Sequence, residues 1–474
     1  MKDGFRVIYR DEIPHYEGST PGVTEFNPLY IPWQREVMHL VRDGSYDYSD
    51  GVLEILLSGA LGSAKSIVMA HIIVTHCLMN DRARAGVGRR TMPDVKATIF
   101  QDIVDHLRSD PNLTEGEDYR IGRSPPKVVF RNGSEIVFRS WADKNEKKSR
   151  SLKLSLLAVE ELTENDEDDK KAIIELRQRV GRLPHVKENV FIAATNPDEP
   201  DHWAHEYFIG NPTRNRRVVY SVTTDNPFLP AFYREQLLRD LDPKMAQRMI
   251  HGRWLSIAKE GVYHQYVREL HEPEAEYIPS ANYPIVVSFD FNIGVGKPLS
   301  VSFSQMKDGV KHFYEEVVIE GARTQNALED AWNRGLFDLQ TMYYIRGDQT
   351  GMASDTRNNI NDYEVIREWL ARQVRKDGSR LMFLQQVPSV NPAVRTRHNV
   401  VNAWLRNDLG QVRVQVYPKA KVLREGFKAV KLKPGAQYME DDSKFFQHVT
   451  TAAGYDIVYE NNLQRRGRTG VHQL

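Results

Sequence analysis

The stretch Leu56-Leu-Ser-Gly-Ala-Leu-Gly-Ser-Ala-Lys-Ser66 follows the apolar run Val52-Leu-Glu-Ile-Leu-Leu57 and precedes Ile67-Val-Met-Ala70. It reads as a strand, a glycine-containing loop and a helix start. Such a loop offers backbone N–H groups at a helix N-terminus, and this predicts a cradle for nucleotide phosphates. Gly59, Gly62, Ser63 and Ala64 would form the cradle, Lys65 would reach the β- and γ-phosphates of ATP, and the Ser66 hydroxyl would hold Mg²⁺. The common pattern G-x-x-x-x-G-K-[ST] wants glycine immediately before the lysine. Here Ala64 stands there, Gly59 lies six positions before Lys65, and Gly62 is additional. The competing reading is a glycine-rich turn with a surface lysine.

Downstream, Leu154-Ser-Leu-Leu-Ala-Val-Glu-Glu161 is an apolar run that ends in two carboxylates. Mg²⁺ needs a carboxylate at a strand end beside the phosphate loop, and hydrolysis needs a group that orients water. Glu160 is assigned to the metal and Glu161 to the water. A third run, Asn189-Val-Phe-Ile-Ala-Ala-Thr-Asn-Pro197, ends in Thr195 and Asn196, which suits a sensor of the γ-phosphate. Three such strand ends in this order predict an ATPase.

The order Gly-Ser-Ala-Lys-Ser, Val-Glu-Glu, Ala-Thr-Asn-Pro and His251-Gly-Arg-Trp254, followed by Ser288-Phe-Asp290 and Gly347-Asp348, resembles the large terminase subunit of tailed bacteriophages. The resemblance runs over nearly the whole chain. It implies an ATP-driven motor that moves double-stranded DNA into a procapsid, and a ribonuclease-H-like nuclease that cuts the concatemer. It also implies a portal protein, a small terminase subunit and a homo-oligomeric ring as partners, and the host cell cytoplasm as location. By the same resemblance Gln34 would bond the adenine edge, with Tyr30 packing nearby. The alternative for Phe26–Gln34 is a helix-capping loop.

Composition sets further bounds. A chain of 474 residues predicts two to three domains. Lys plus Arg and Asp plus Glu are 64 each, so any DNA contact must be a local basic surface rather than bulk positive charge. The single cysteine, Cys77, falls in the apolar pattern after the phosphate loop; it reads as a buried thiol and suits a reducing cytoplasm. No signal peptide and no apolar run of bilayer length is recognised, which predicts a soluble protein without a membrane partner.

Along the motor half, Arg84 to Arg90 reads as a strand and Pro93 to about Arg108 as a helix. Lys127 to Arg139 alternates around Asn132-Gly133, a two-residue hairpin signal. Arg139 and Arg150 are candidates for an arginine that reaches phosphates. A helical stretch follows Asn226-Pro-Phe-Leu-Pro230 as far as about Gly252.

The strand pattern restarts at Ile285-Val-Val-Ser-Phe-Asp290. A hairpin across Lys307-Asp-Gly309, a helix from Thr324 and Met342-Tyr-Tyr-Ile-Arg-Gly-Asp348 give a ribonuclease-H-like layout. Asp290 and Asp348 then suit two-metal phosphodiester cleavage with Mg²⁺ or Mn²⁺. The family's third ligand lies in a pattern like His-x-x-Asp-Ala-x-x-Tyr. This chain reads His448-Val-Thr-Thr-Ala-Ala-Gly-Tyr455, with Thr451 in the acid's place. His448 is the preferred substitute. Asp441 is the alternative if one helix runs through both, and Asp456 lies well round from His448. Lys419 to Lys433 is the densest basic stretch, read either as a DNA-phosphate contact or as a solvated amphipathic segment. The tail Gln464-Arg-Arg-Gly-Arg468 reads as flexible.

The expected fold is α/β: a P-loop ATPase domain of the ASCE type with a mainly parallel sheet over 1–254, a linker over 255–284, and a ribonuclease-H-like nuclease domain with a flexible basic tail over 285–474. The main rival is a helicase–nuclease of recombination or restriction, which would need a second RecA-like domain. A third reading, a virion adaptor that binds nucleotide without turnover, leaves Glu161 without a role.

Overall fold

A computed structural model describes residues 31–42, 46–141, 152–257, 261–292, 297–353, 360–433, 439–441 and 445–470. The chain divides into two compact units, one holding residues up to 234 with 247–256, the other 235–246 with 257 onward.

In the first unit the strands are β1 (Leu53–Gly59), β2 (Arg84–Arg89), β3 (Tyr119–Arg123), β4 (Pro126–Phe130), β5 (Glu135–Ser140), β6 (Leu156–Val159), β7 (Val190–Thr195) and β8 (Arg216–Ser221). They form one sheet in the order β3-β4-β5-β2-β6-β7-β1-β8. From β5 to β8 neighbouring strands are parallel, whereas the β3–β4 and β4–β5 pairs are antiparallel. The sequence accounts for the difference. β1, β6 and β7 are buried at every position, as mainly apolar runs covered on both faces must be, with the one charge in β1, Glu54, paired to Arg177 and Arg216, while β5 alternates buried and half-buried residues. The turn between β4 and β5 falls at Asn132-Gly133, where Gly133 takes φ +80°. β7 lies between β1 and β6, the strand insertion that defines an ASCE-type P-loop sheet.

The helix expected from Pro93 to about Arg108 is two helices, Met92–Ala97 and Ile99–Ser109. The break is Thr98, at φ −121° and ψ −101°.

In the second unit the strands are β9 (Ile285–Asp290), β10 (Pro298–Lys307), β11 (Val310–Glu320), β12 (Met342–Gly347), β13 (Met382–Gln385) and β14 (Val414–Val416), in the order β13-β12-β9-β10-β11-β14. β9, β10 and β11 are antiparallel, whereas β12 and β13 run parallel to β9. The β10–β11 turn places Asp308 at φ +50° and Gly309 at +80°, the left-handed pair that a two-residue hairpin demands. This mixed order is that of a ribonuclease-H-like sheet.

The helix Phe446–Gly470 packs across β9, β10 and β12. Its central acid, Asp456, is fully buried between Lys311 Nζ at 2.9 Å and Arg346 Nη1 at 2.6 Å, and accepts from Ser304 Oγ at 2.5 Å. The stretch 464–468, expected to be a flexible tail, is the end of this helix, and Arg465 meets Asp240 at 3.0 Å. Residues 255–284, expected as a linker, contribute Val262 and Tyr263 to the second unit's core beside Phe427 and Trp404. No helix among the described residues is long and apolar enough to cross a membrane.

Candidate functional site

The first site lies at the ends of β1, β6 and β7. β1 delivers the loop Ala60–Ala64 to the helix Lys65–Met79. Ala64, standing where the common pattern has glycine, takes φ +69°, and Gly62 takes +70°. Left-handed backbone costs a residue with a Cβ about 1 kcal/mol, so the surroundings must hold the loop in shape. They do so at several points. Ala60 N donates to Ser221 O at 2.9 Å and Leu61 N to Met249 O at 2.7 Å. Thr223 Oγ1 donates to Leu61 O at 2.9 Å, and Asn226 Nδ2 donates to Gly62 O at 2.7 Å. Ser63 Oγ donates to Ala60 O at 2.9 Å.

Lys65 Nζ donates to Gly59 O at 2.9 Å, Ala60 O at 2.8 Å and Asn196 Oδ1 at 3.0 Å, which joins the phosphate loop to the end of β7. Burial lowers its ammonium to about 8, against the pull of Glu161 and Glu160. Ser66 Oγ donates to Glu160 Oε1 at 2.8 Å, and Thr98 Oγ1 donates to Glu160 Oε2 at 2.7 Å. Ser66 and Glu160 thus place two side-chain oxygens next to each other, the donor type a hard divalent ion takes. Glu161 follows at φ +49°. Burial raises its carboxyl above the usual range, and Lys65 pulls it back.

Gln34 is buried and donates from Nε2 to Ala64 O at 3.0 Å, so its carboxamide braces the phosphate loop. Tyr30 and Arg150 lie outside the described residues. Arg139, on β5, donates to Phe138 O at 2.9 Å.

The motif reading did not single out Arg89, Thr98 or Glu164. Arg89 clasps Glu164 through Nε at 2.9 Å and Nη2 at 2.6 Å, with Nη1 at 3.8 Å from Glu160. The one available signal was Arg89 at the end of a predicted strand.

The second site lies at the ends of β9 and β12. Gly347 takes φ +141°, and a Cβ there would sit 2.3 Å from Phe289 O. That close approach lets Asp348 N donate to Phe289 O at 3.1 Å, which seats Asp348 beside Asp290. Asp290 Oδ2 pairs with His448 Nδ1 at 2.9 Å and accepts from Asn292 Nδ2 at 2.7 Å. Burial raises the Asp290 carboxyl, and the His448 bond opposes the rise. Asp348 Oδ1 accepts from Thr350 N at 2.8 Å and Asn391 Nδ2 at 2.5 Å.

The remaining acids fare differently. Asp441 precedes the helix that carries His448, so the two do not share a helical face. Asp456 is committed to Lys311 and Arg346. Among the described residues no group of three or more His, Cys, Asp or Glu side chains is arranged to hold a metal ion, and Asp290 and Asp348 are the two acids that adjacent strand ends bring together. In the basic stretch, Lys419 pairs with Glu276 at 3.0 Å and Lys428 with Glu272 at 2.8 Å, while Leu423 and Phe427 are buried. Lys419 and Lys428 thus have acidic partners within the chain.

The fold and first site define a P-loop ATPase unit of the ASCE type joined to a ribonuclease-H-like unit. Residues 53–253 match the family model described as phage terminase large subunit. The whole fold is similar to that of the large terminase from a thermophilic bacteriophage, with TM-score 0.61 and 16% identity, covering 90% of this chain and 98% of that one. Structures of that protein with ADP and with ATP-gamma-S match with the same TM-score and coverage, at 16% and 15% identity. No curated protein matches. Residues 53–253 therefore match the large-terminase family model, and the fold over nearly the whole length is similar to that of a large terminase, as the motif order implied.

Proposed function

We propose that this chain is the genome-packaging motor of a tailed phage. It couples ATP hydrolysis to translocation of double-stranded DNA into a procapsid and cuts the DNA with its second unit. The reading rests above all on the convergence of Lys65 and Ser66, Glu160 and Glu161, and Asn196 at three adjacent parallel strand ends.

In this mechanism the loop Gly59–Ala64 and Lys65 hold the ATP phosphates, and Lys65 exchanges its carbonyl partners for phosphate oxygens. Ser66 and Glu160 would hold Mg²⁺, which when bound neutralises charge on the phosphates. Glu161 orients the attacking water, and Asn196, bonded to Lys65, senses whether the γ-phosphate is present. Gln34 braces the loop through Ala64 O.

For the second unit the reading is phosphodiester cleavage dependent on Asp290 and Asp348, with His448 orienting Asp290. A portal protein, a small terminase subunit, a ring of copies of this chain and the host cytoplasm complete the proposal, on the family likeness. The helicase–nuclease alternative would need a second RecA-like unit, and the mixed antiparallel sheet of β9–β14 occupies that place.

The deciding experiment supplies the purified chain, small subunit, ATP and linear DNA to empty procapsids. DNA should become nuclease-protected only with hydrolysable ATP. Protection without ATP, or ATP-driven duplex unwinding with no packaging, would favour the other readings.

A further inference from the structure

Glu161 is held in a left-handed conformation at φ +49°. For a residue with a long side chain this persists only when the chain on both sides is fixed. Both sides lead to Arg89.

On the N-terminal side, Glu160 N donates to Gly88 O at 3.0 Å, and the Glu160 carboxylate lies 3.8 Å from Arg89 Nη1. Thr98, at the break between two helices, holds the same carboxylate oxygen. On the C-terminal side is the turn Leu162–Glu164, whose last residue Arg89 clasps with two parallel bonds. Its middle residue, Thr163, bonds Thr195 Oγ1 through N at 3.1 Å and through its hydroxyl at 2.7 Å. Thr195 is the neighbour of Asn196, the partner of Lys65. Arg89 therefore stands where the metal-side arm (Glu160, Ser66) meets the γ-phosphate-side arm (Glu164, Thr163, Thr195, Asn196, Lys65), and Glu161 lies between them.

We propose that Arg89 is a positioning residue of the motor, which aims Glu161 at the attacking water by clasping Glu164 and flanking Glu160. The inference rests on the reading of the first unit as an ATPase. In this role Arg89 acts through the backbone of Glu161, by way of its contacts with Glu164 and Glu160. A guanidinium suits this role because its fork makes two parallel bonds to one carboxylate, which an ammonium cannot.

The test uses the full chain with Mg²⁺ present, and reads steady-state ATP turnover together with the affinity for a fluorescent ATP analogue. Variants are Arg89→Gln, Arg89→Lys, Glu164→Gln and the double Arg89→Gln/Glu164→Gln. Arg89→Gln and Glu164→Gln should each lower kcat about tenfold or more, with analogue affinity within about threefold of wild type. The double variant should be no slower than the slower single, since both remove one clasp. Arg89→Lys should recover only part of the loss. Wild-type turnover in Arg89→Gln, an affinity loss as large as the kcat loss, or a double variant whose losses multiply would each overturn the proposal. Should Arg89→Gln fail to fold, Glu164→Gln carries the same test from a partly exposed side chain. A wild-type chain without ATP turnover would instead overturn the ATPase reading itself.

Discussion

Ser66 Oγ donates to Glu160 Oε1 at 2.8 Å, so the hydroxyl and the carboxylate assigned to the nucleotide's metal already touch. The ligand pair is assembled by the protein, with Thr98 fixing the second carboxylate oxygen.

From that assembly, binding and turnover should separate. Glu161→Gln should bind ATP within about threefold of wild type and lose turnover by about two orders of magnitude or more, because it removes the water's orienting group and no phosphate contact. Lys65→Ala should lose both. Equilibrium binding beside steady-state kinetics on the same preparations checks this. Wild-type turnover in Glu161→Gln would remove Glu161 from its assigned role.

Gln34→Ala should weaken nucleotide binding by about 1–3 kcal/mol, because the partly buried Ala64 O loses its short bond from Gln34 and keeps only the long one from Val68 N at 3.5 Å. Because the carboxamide braces the loop backbone, ATP and GTP should suffer alike. Competition binding with both nucleotides decides the point; a loss confined to ATP would show instead that Gln34 reads the adenine edge.

Cutting of plasmid DNA should fall by about two orders of magnitude in Asp290→Asn and in Asp348→Asn, with ATP turnover within about twofold of wild type. Chelation with EDTA should stop cutting, and added Mn²⁺ or Mg²⁺ should restore it. His448→Ala should weaken cutting, since it frees the Asp290 oxygen that the ring holds at 2.9 Å. Both Asp variants cutting at the wild-type rate in a contaminant-free preparation would falsify the nuclease reading.

Asp456→Asn tests stability rather than chemistry. It would leave Lys311 and Arg346 with only the partly buried Glu460 as counter-charge, and should cost about 3 kcal/mol, read by denaturant unfolding of the chain. Burial alone would raise the Asp456 carboxyl, yet Lys311 and Arg346 hold it below its ordinary value. A depressed carboxylate contributes stability that is present above the unfolded value of about 3.9 and is lost as pH falls below it. The wild type should therefore lose stability more steeply than Asp456→Asn through that acid window. Parallel acid limbs would count against the buried pairing.

Much of this was legible in the sequence for a simple reason. β1, β6, β7 and β9 are buried on both faces, so burial wrote them as mainly apolar runs, broken in β1 by the ion-paired Glu54 and in β9 by Ser288, and each leads to a candidate site residue. The Asn132-Gly133 and Asp308-Gly309 turns were legible because left-handed backbone selects those residues. What stayed hidden depends on distance along the chain. Arg89 and Glu164 are 75 positions apart, and nothing in either neighbourhood names the other. The break at Thr98 was hidden because Val95, Ile99, Ile103 and Leu107 keep helical spacing across it. The commitment of Asp456 was hidden because its partners come from β11 and β12.

The bracing of the phosphate loop has a thermodynamic consequence. Anchored from Ser221, Thr223, Asn226, Met249 and Gln34, the loop is held in shape by the protein's own contacts. The ordering cost that a slack loop would charge against each binding event was met once, during folding. On the proposed ATPase reading, nucleotide could then enter and leave repeatedly without the cradle being refolded at every step.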